Sequence, residues 1–399
     1  MTTLRLSLAA VLLAACGGGY KPATTAPAPV AEAPAPAPPS PPPAVMPAPP
    51  PAHVNPLLTM SPLYEHAPQF DKIQEDDFMP AYTEGMKQHA AEIRAIADQA
   101  EAPTFDNTIV AMEKTGVLLG RVAYAFGNLA GALTDDKMQK IEADVAPLMA
   151  KHFDDIHLDA KLFARVDTLY KARKTLKLDL VDLRLLERYH LDFVRAGAQL
   201  KPADQATLRA LNEEESTLTA KWSEQQLKEM NAGAVIVDDV KQLDGMSQAD
   251  IAAAATAATT RGKPGHWVIP LVNTTTQPAL SSLTNRALRE RIFKASIARG
   301  HHGGDYDMTK LVSRLAQLRA QRAKLLGFSS AASFILDDQM AKTPQAAMKL
   351  LGQMTAPTVA HAKAEATALQ QLIDSQKGGF KLEPWDWAFY SDQLRKAKY

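Results

Sequence analysis

The stretch MTKLVSRLAQLRAQRAKLLG, residues 308–327, places an apolar side chain at every third or fourth position. This spacing is typical of one buried face of an α-helix, and Gly327 is a natural residue at which to end it. The stretch LRLLERYHLDFVRAGAQL, residues 183–200, repeats the pattern. Because this period dominates from Asn55 onward, the sequence predicts a mainly α fold whose core is formed by helix packing.

Two short stretches interrupt the helical period. Residues 234–237 and 266–272 are rich in β-branched side chains, which favour strands. We expect them to pair as a small hairpin-like β insert, with a helical segment over residues 250–259 between them. A separate local signal is Asp106-Asn107-Thr108, which precedes an apolar run and predicts a helix N-cap.

Charge and cysteine content exclude several classes of protein. The 44 Lys and Arg residues balance 44 Asp and Glu residues, so the formal net charge is zero. A general nucleic-acid-binding protein would carry a basic excess, and we therefore expect no nucleic-acid partner. The single cysteine excludes an internal disulfide framework and any Cys-rich zinc or iron–sulfur site.

The N-terminus has the pattern of an export signal. Residues 1–15, MTTLRLSLAAVLLAA, place Arg5 before an apolar run that is too short to span a membrane. The run ends in Leu-Ala-Ala-Cys, which resembles the bacterial lipoprotein signal and predicts lipidation of Cys16. The alternative is an ordinary signal peptide with an incidental cysteine. The first interpretation predicts a lipid-anchored protein of the bacterial cell envelope, at the outer membrane and facing the periplasm.

Residues 16–54 form a compositionally distinct segment between the signal and the helical body. Of the 27 prolines in the chain, 14 lie between Pro22 and Pro51, so this segment differs sharply in composition from the helical body. Pro/Ala-rich sequences of this kind form semi-rigid polyproline-like spacers. The predicted organisation is a signal over residues 1–15, a tether over 16–54 and a helical body over 55–399.

A search for catalytic chemistry assigns no catalytic residue and no metal ligand. The His-Glu-x-x-His pattern of zinc peptidases does not occur, nor does the Gly-x-Ser-x-Gly pattern around a nucleophilic serine. His361 and Glu365 share a helical face, but a solvated helix surface explains them more simply. The run His301-His302-Gly303-Gly304-Asp305 resembles a metal site but is more simply a Gly-rich turn between helices.

Six segments resemble one peptidase family in order and spacing. They are FDKIQEDDFMPAYTEGM (70–86), PTFDNTIVAMEKTG (103–116), WVIPLVNTTTQPAL (267–280), LRAQRAKLLGF (318–328), DQMAKTP (338–344) and PWDWAFYSDQLRKAKY (384–399). Together they resemble the zinc metallopeptidases that include thimet oligopeptidase, oligopeptidase A and, most similar, bacterial peptidyl-dipeptidase. The resemblance covers essentially all of residues 55–399. It implies the helical N-terminal half of a channel-forming peptidase that cleaves short oligopeptides.

In that family the zinc-binding His-Glu-x-x-His helix comes after the segment matched by residues 384–399. No catalytic or zinc-binding position therefore carries over, and we expect this chain to bind no zinc and to be inactive alone. The alternative is a non-enzymatic envelope lipoprotein that binds peptides or partners through its helical surface. We also expect the aromatic segment Trp385, Trp387, Phe389 and Tyr390 to be the main exposed apolar surface.

Overall fold

The computed structural model describes residues 53–272, 276–301 and 303–399, so the predicted signal, Cys16 and most of the tether lie outside the described residues. The described chain is mainly α-helical, as predicted. Its helices are α1 (Phe78–Ala97), α2 (Ala111–Glu113), α3 (Val117–Ala132), α4 (Asp136–His157), α5 (Ala160–Ala172), α6 (Leu180–Arg195), α7 (Pro202–Ala232), α8 (Gln248–Thr260), α9 (Arg286–Ile297), α10 (Thr309–Leu325), α11 (Ala331–Asp337), α12 (Pro344–Ser375) and α13 (Trp387–Lys398).

The helix whose sequence pattern predicts the fold is α10. It buries Leu311, Leu315 and Leu318, which belong to the predicted apolar face. Gly327 comes just after the helix with a φ of +86°, a conformation that glycine adopts without a steric penalty, and the helix ends there as expected.

The predicted N-cap at residues 106–108 is wrong. Thr104 is the cap: its hydroxyl accepts a hydrogen bond from the Asn107 backbone N–H at 3.1 Å. The Asn107 side chain in turn accepts from the Thr104 N–H at 2.8 Å, which completes a reciprocal capping box. Asn107 is the third residue of this capping box. It therefore lies inside the π-helical segment Phe105–Val110 and does not start a helix of its own.

The predicted β insert is confirmed. Strand β1 (Val235–Val237) pairs antiparallel with β2 (Trp267–Ile269), and Ile236 lies opposite Val268. Helix α8 occupies the connection between them. Val237 and Leu243 are fully buried in the core beneath this sheet. Arg291 of α9 donates to the Ile236 carbonyl oxygen at 2.7 Å, so one edge of β1 ends against a charged side chain.

The rest of the core is formed mainly by helices packed on helices. Phe78 and Tyr82 of α1 contact Phe126 of α3, with the Phe78 and Phe126 ring centroids 5.1 Å apart in an edge-to-face arrangement. The two helices approach each other closely beside this contact. Gly85 of α1 permits that approach, because a Cβ placed on it would lie 2.9 Å from the Leu119 Cα. The apolar faces of α1, α5 and α6 form a second cluster.

The two longest helices differ in how they are supported. Helix α7 packs against α4 and α10 and is tied to α10 by ion pairs such as Arg314 Nε to Glu214 Oε1 at 2.6 Å. Helix α12 contacts α13 through its C-terminal part, where Leu369 and Ile373 are buried. Within the described ranges, no helix combines the length and apolar character needed to cross a membrane.

Candidate functional site

The histidines singled out from the sequence remain apart in the structure. His361 and Glu365 form an exposed pair on α12, with 3.2 Å between Nε2 and Oε1. His301 is exposed in the turn between α9 and α10, while its neighbour His302 lies outside the described residues. Gly300, Gly303 and Gly304 have positive φ angles in this segment, which confirms a Gly-rich turn.

A different pair of histidines does meet, in a partly buried position between α1 and α4. His152 of α4 lies 2.9 Å from His89 of α1, measured from Nε2 to Nδ1, and His89 Nε2 lies 3.2 Å from the Thr115 hydroxyl. The Thr115 hydroxyl donates to the Met112 carbonyl at 2.7 Å, so it accepts from His89 Nε2–H. His89 Nδ1 must then accept from His152 Nε2–H. The two rings are thereby fixed in neutral tautomers and connect α1 to α4.

Burial keeps both imidazoles neutral. Desolvation lowers the pKa of His152 to about 4, with a further contribution from His89. The pKa of His89 is lowered as well, first by desolvation and then by His157. The sequence could not reveal this contact, because the two residues are 63 positions apart and only the packing of α1 on α4 brings them together.

Zinc requires three protein donors around one point, together with room for water and substrate. Within residues 53–272, 276–301 and 303–399, no three His, Cys, Asp or Glu side chains come together in that way. The His89–His152 pair has a threonine as its third neighbour. The described residues therefore do not fit a zinc ion, and none of them is assigned a step in zinc chemistry.

A buried carboxylate organises the C-terminal segment. Asp386, which is fully buried, accepts hydrogen bonds from Arg286 Nη2 at 2.9 Å and Arg289 Nη2 at 2.8 Å. It also accepts from the Glu383 backbone N–H at 3.1 Å. Burial acts to raise the pKa of the Asp386 carboxyl, but the hydrogen bonds from Arg286 and Arg289 keep it below its usual range. We call Asp386, Arg286 and Arg289 the arginine clasp.

The aromatic residues around the clasp are packed, which corrects the prediction that residues 385–390 form the main exposed apolar surface. Tyr390 is buried, and Trp385, Trp387 and Phe389 are half-buried. The Arg289 guanidinium lies 4.3 Å from the Phe389 ring centroid. The Trp385 ring packs on Phe293 of α9, with centroids 6.3 Å apart. The arginines of α9 thus supply flat cationic partners for these rings.

The glutamine of the segment WVIPLVNTTTQPAL has a supporting role. Gln277 is almost fully buried and bridges the loop to α9. Its side chain accepts from the Val272 N–H and donates to the Val272 carbonyl, both at 2.9 Å, and it donates to Ser296 Oγ at 2.9 Å. These bonds join Gln277 to Val272 and to α9, while residues 273–275 lie outside the described residues.

The surface that remains open lies on α12. Every residue from 348 to 365 is exposed, and we call this stretch the α12 surface. It carries five large apolar side chains, with exposed fractions between 47% and 64%: Met348, Leu350, Leu351, Met354 and Val359. The small residues Gly352, Ala356 and Ala360 leave a shallow, open strip along the same helix. This geometry suits a polypeptide partner better than a small molecule, since no second element of the described chain encloses it.

Comparison with known proteins shows which family the chain resembles. Residues 279–399, which contain the clasp and all of α12, match Peptidase family M3. Over 346 residues the chain is 42% identical to "Dipeptidyl carboxypeptidase" of Escherichia coli, a match that covers 87% of this chain and 51% of the relative. The chain thus resembles peptidase family M3 over residues 279–399 and the dipeptidyl carboxypeptidases over most of its length. The family resemblance inferred from the six sequence segments is therefore confirmed.

Two further relatives match over a similar part of the chain. The chain is 41% identical over 345 residues to "Dipeptidyl carboxypeptidase" of Salmonella typhimurium, covering 86% of this chain and 51% of the relative. It is 24% identical over 356 residues to "Oligopeptidase A" of Escherichia coli, with the same coverage of both chains. The chain spans about half the length of the curated M3 relatives it matches. M3 peptidases are zinc metallopeptidases.

Proposed function

We propose that this chain forms the helical part of an M3 peptidase that hydrolyses short oligopeptides, with a specificity of the peptidyl-dipeptidase type. The observation that carries the proposal is the 42% identity to a dipeptidyl carboxypeptidase over 87% of the chain. The segments that resemble the family include Gln277 and Asp386, which contact Ser296 and Arg289 of α9. The chain supplies a rigid helical frame for a peptide-cleaving site.

The proposal divides the work between two parts of an M3 peptidase. The described residues offer no zinc triad, so the zinc ligands and the general base belong to polypeptide equivalent to the unmatched half of the relatives. Zinc held by that polypeptide would supply an activated water for peptide hydrolysis. We infer that this chain alone binds short peptides weakly and does not cleave them.

A chimera tests this function. The full chain is joined after Tyr399 to the unmatched half of the Escherichia coli dipeptidyl carboxypeptidase, and dipeptide release from a synthetic oligopeptide is monitored by mass spectrometry. We expect activity that a chelator abolishes and that added zinc restores. A folded, zinc-loaded chimera without peptidase activity would contradict the proposal, as would chelator-resistant cleavage by this chain alone.

We further propose that the protein is anchored to the bacterial envelope through lipidated Cys16, facing the periplasm at the outer membrane. The support is the Leu-Ala-Ala-Cys sequence and the Pro/Ala-rich tether after it. Acyl chains bind membranes by about 0.8 kcal/mol per buried CH₂ group, so several chains on one cysteine give stable anchoring. Cys16→Ser should move the protein to the soluble fraction of its host. A wild-type protein that incorporates no labelled fatty acid would refute the anchor.

A further inference from the structure

A pocket lies where the C-terminal ends of α7 and α8 meet the β insert, and we call it the insert pocket. Ile236 of β1 and Val268 of β2, which are opposite each other in the sheet, both line it. Tyr306, from the Gly-rich turn between α9 and α10, lines it as well. Because Val268 is 1% exposed and Tyr306 is 36% exposed, the pocket is apolar at its base and aromatic at its rim.

The insert pocket is also positively charged. Lys228, Arg261 and Lys263 line it, and no described residue that lines it is acidic. Lys228 forms an ion pair with Glu224 of α7. Within the described ranges, neither Arg261 nor Lys263 forms an ion pair with a carboxylate. Two cationic side chains at this pocket are therefore without a counter-ion.

The fold itself accounts for only part of this charge. The Arg261 guanidinium donates to the Ala257 carbonyl oxygen at 3.3 Å and to Asn231 Oδ1 at 3.1 Å, so it caps α8 and links it to α7. Cations commonly stabilise helix C-termini in this way. Lys263 follows the end of α8, and its side chain makes no hydrogen bond or ion pair to another described residue. The Lys263 ammonium group is therefore available to a ligand.

The helices around the insert pocket favour a carboxylate over a phosphate. Phosphate sites commonly use the backbone N–H groups at a helix N-terminus. Helices α7 and α8 both end at this pocket, so they present carbonyl oxygens and the negative ends of their dipoles. These groups repel a singly charged anion less than a phosphate dianion. The apolar base, in turn, suits a ligand with an uncharged body.

We propose that the insert pocket binds a small monocarboxylate with an apolar body, such as the C-terminal residue of a peptide or a short fatty acid. The carboxylate contacts Lys263 and Arg261 at the rim, and the apolar body packs on Ile236, Val268 and the Tyr306 ring. This proposal goes beyond the proposed function and does not depend on it.

Binding to the full chain tests the ligand class. Saturation-transfer NMR titrations are made with N-acetyl-phenylalanine, hexanoate and inorganic phosphate, and with N-acetyl-phenylalanine amide as the uncharged match of the first ligand. N-acetyl-phenylalanine should bind about tenfold or more tightly than its amide, because the amide cannot form a charge-assisted hydrogen bond with Lys263. Tighter binding of N-acetyl-phenylalanine than of hexanoate would identify a peptide end as the ligand, and the reverse order would identify a fatty acid.

Substitutions locate the binding site. Lys263→Glu reverses a charge at the insert pocket, and Lys349→Glu makes the same change at an exposed lysine of α12 that does not line it. Both lysines are exposed, so both variants should keep the wild-type helical content by circular dichroism. Only Lys263→Glu should weaken carboxylate binding, by about tenfold or more. Tyr306→Ala should weaken binding of the acid and of its amide by the same factor, since it removes a ring contact and no charge.

Several results would overturn the proposal. Equal affinities for the acid and its amide would exclude a carboxylate site, and tighter binding of phosphate than of either carboxylate would assign the pocket to another class of anion. An absence of saturable binding would exclude a site altogether. Equal losses in Lys263→Glu and Lys349→Glu would show unspecific attraction to positive charge. None of these measurements involves peptide cleavage, so an inactive chimera would contradict the proposed function and leave this inference standing.

Discussion

Removing the Asp386 carboxylate should destabilise the chain strongly. The carboxylate is fully buried and accepts four side-chain hydrogen bonds of 2.8 to 3.1 Å from Arg286 and Arg289. The Arg289 side chain is itself 2% exposed, and its remaining hydrogen bonds go to the Leu283 and Thr284 carbonyls at 2.8 and 3.1 Å. Asp386→Ala leaves this guanidinium buried without a counter-charge. Breaking a buried pair in this way costs about 3–5 kcal/mol of unfolding free energy.

Asp392→Ala is the matched control for this substitution. It removes the same group from the same C-terminal segment, but Asp392 pairs with Arg395 and Lys396, whose side chains are 70% and 72% exposed. Pairs of that kind contribute about 0–1 kcal/mol. Urea denaturation monitored by circular dichroism gives the free energies, and tryptophan fluorescence reports locally, since Trp385 and Trp387 flank Asp386. Equal losses in the two variants, or a loss below about 1 kcal/mol for Asp386→Ala, would refute the reasoning.

Three further substitutions probe the packing. Because the pKa of His152 falls from 6.5 to about 4 on folding, the unfolded chain binds more protons below pH 6.5. Lowering the pH from 7 to 5 should therefore reduce the free energy of unfolding, measured by urea denaturation, by about 1–2 kcal/mol after allowance for solvent screening. His152→Gln should make the free energy of unfolding depend less on pH. Gly245→Ala should reduce the free energy of unfolding in the same assay by about 2–4 kcal/mol, because φ is +91° and the new Cβ would lie 2.1 Å from the Ser282 carbonyl oxygen. An unchanged denaturation midpoint would contradict this expectation. Gly85→Ala should lower the melting temperature, because the new Cβ would press on Leu119 of α3 and reduce the free energy of unfolding by about 1–3 kcal/mol. A variant as stable as wild type would show that α1 and α3 can move apart without loss of stability.

Local pattern was sufficient to predict the helical class of this fold, helix α10 and the small β insert. The period of three to four residues identified α10 and its end at Gly327, because helix burial depends on side chains close together in sequence. The β-branched stretches identified β1 and β2, and the absence of any other strand-like run between them made their pairing predictable. The segments that resemble M3 peptidases identified the family, since they recur in order along the chain.

Local sequence pattern could not predict the long-range contacts that determine which side chains are exposed to solvent. Asp386 meets Arg286 and Arg289 across about a hundred positions, and the sequence of residues 384–390 alone does not show that two arginines from α9 will cover its aromatic rings. The expectation of an exposed aromatic segment failed for that reason. The apolar residues of α12 were equally visible in the sequence, but only the three-dimensional arrangement shows that nothing in the described ranges covers residues 348–365.

The arginine at the edge of the small sheet has a consequence for aggregation. A sheet of two strands leaves both outer rows of backbone groups available, and such edges recruit extended chains into growing β-structure. Arg291 occupies the Ile236 carbonyl oxygen at 2.7 Å, so the row along β1 is interrupted at its central residue by a guanidinium that must stay solvated. An unfolded polypeptide that reaches this edge meets a fixed positive charge where it would need a free acceptor. The β1 edge is therefore a poor template for further strands.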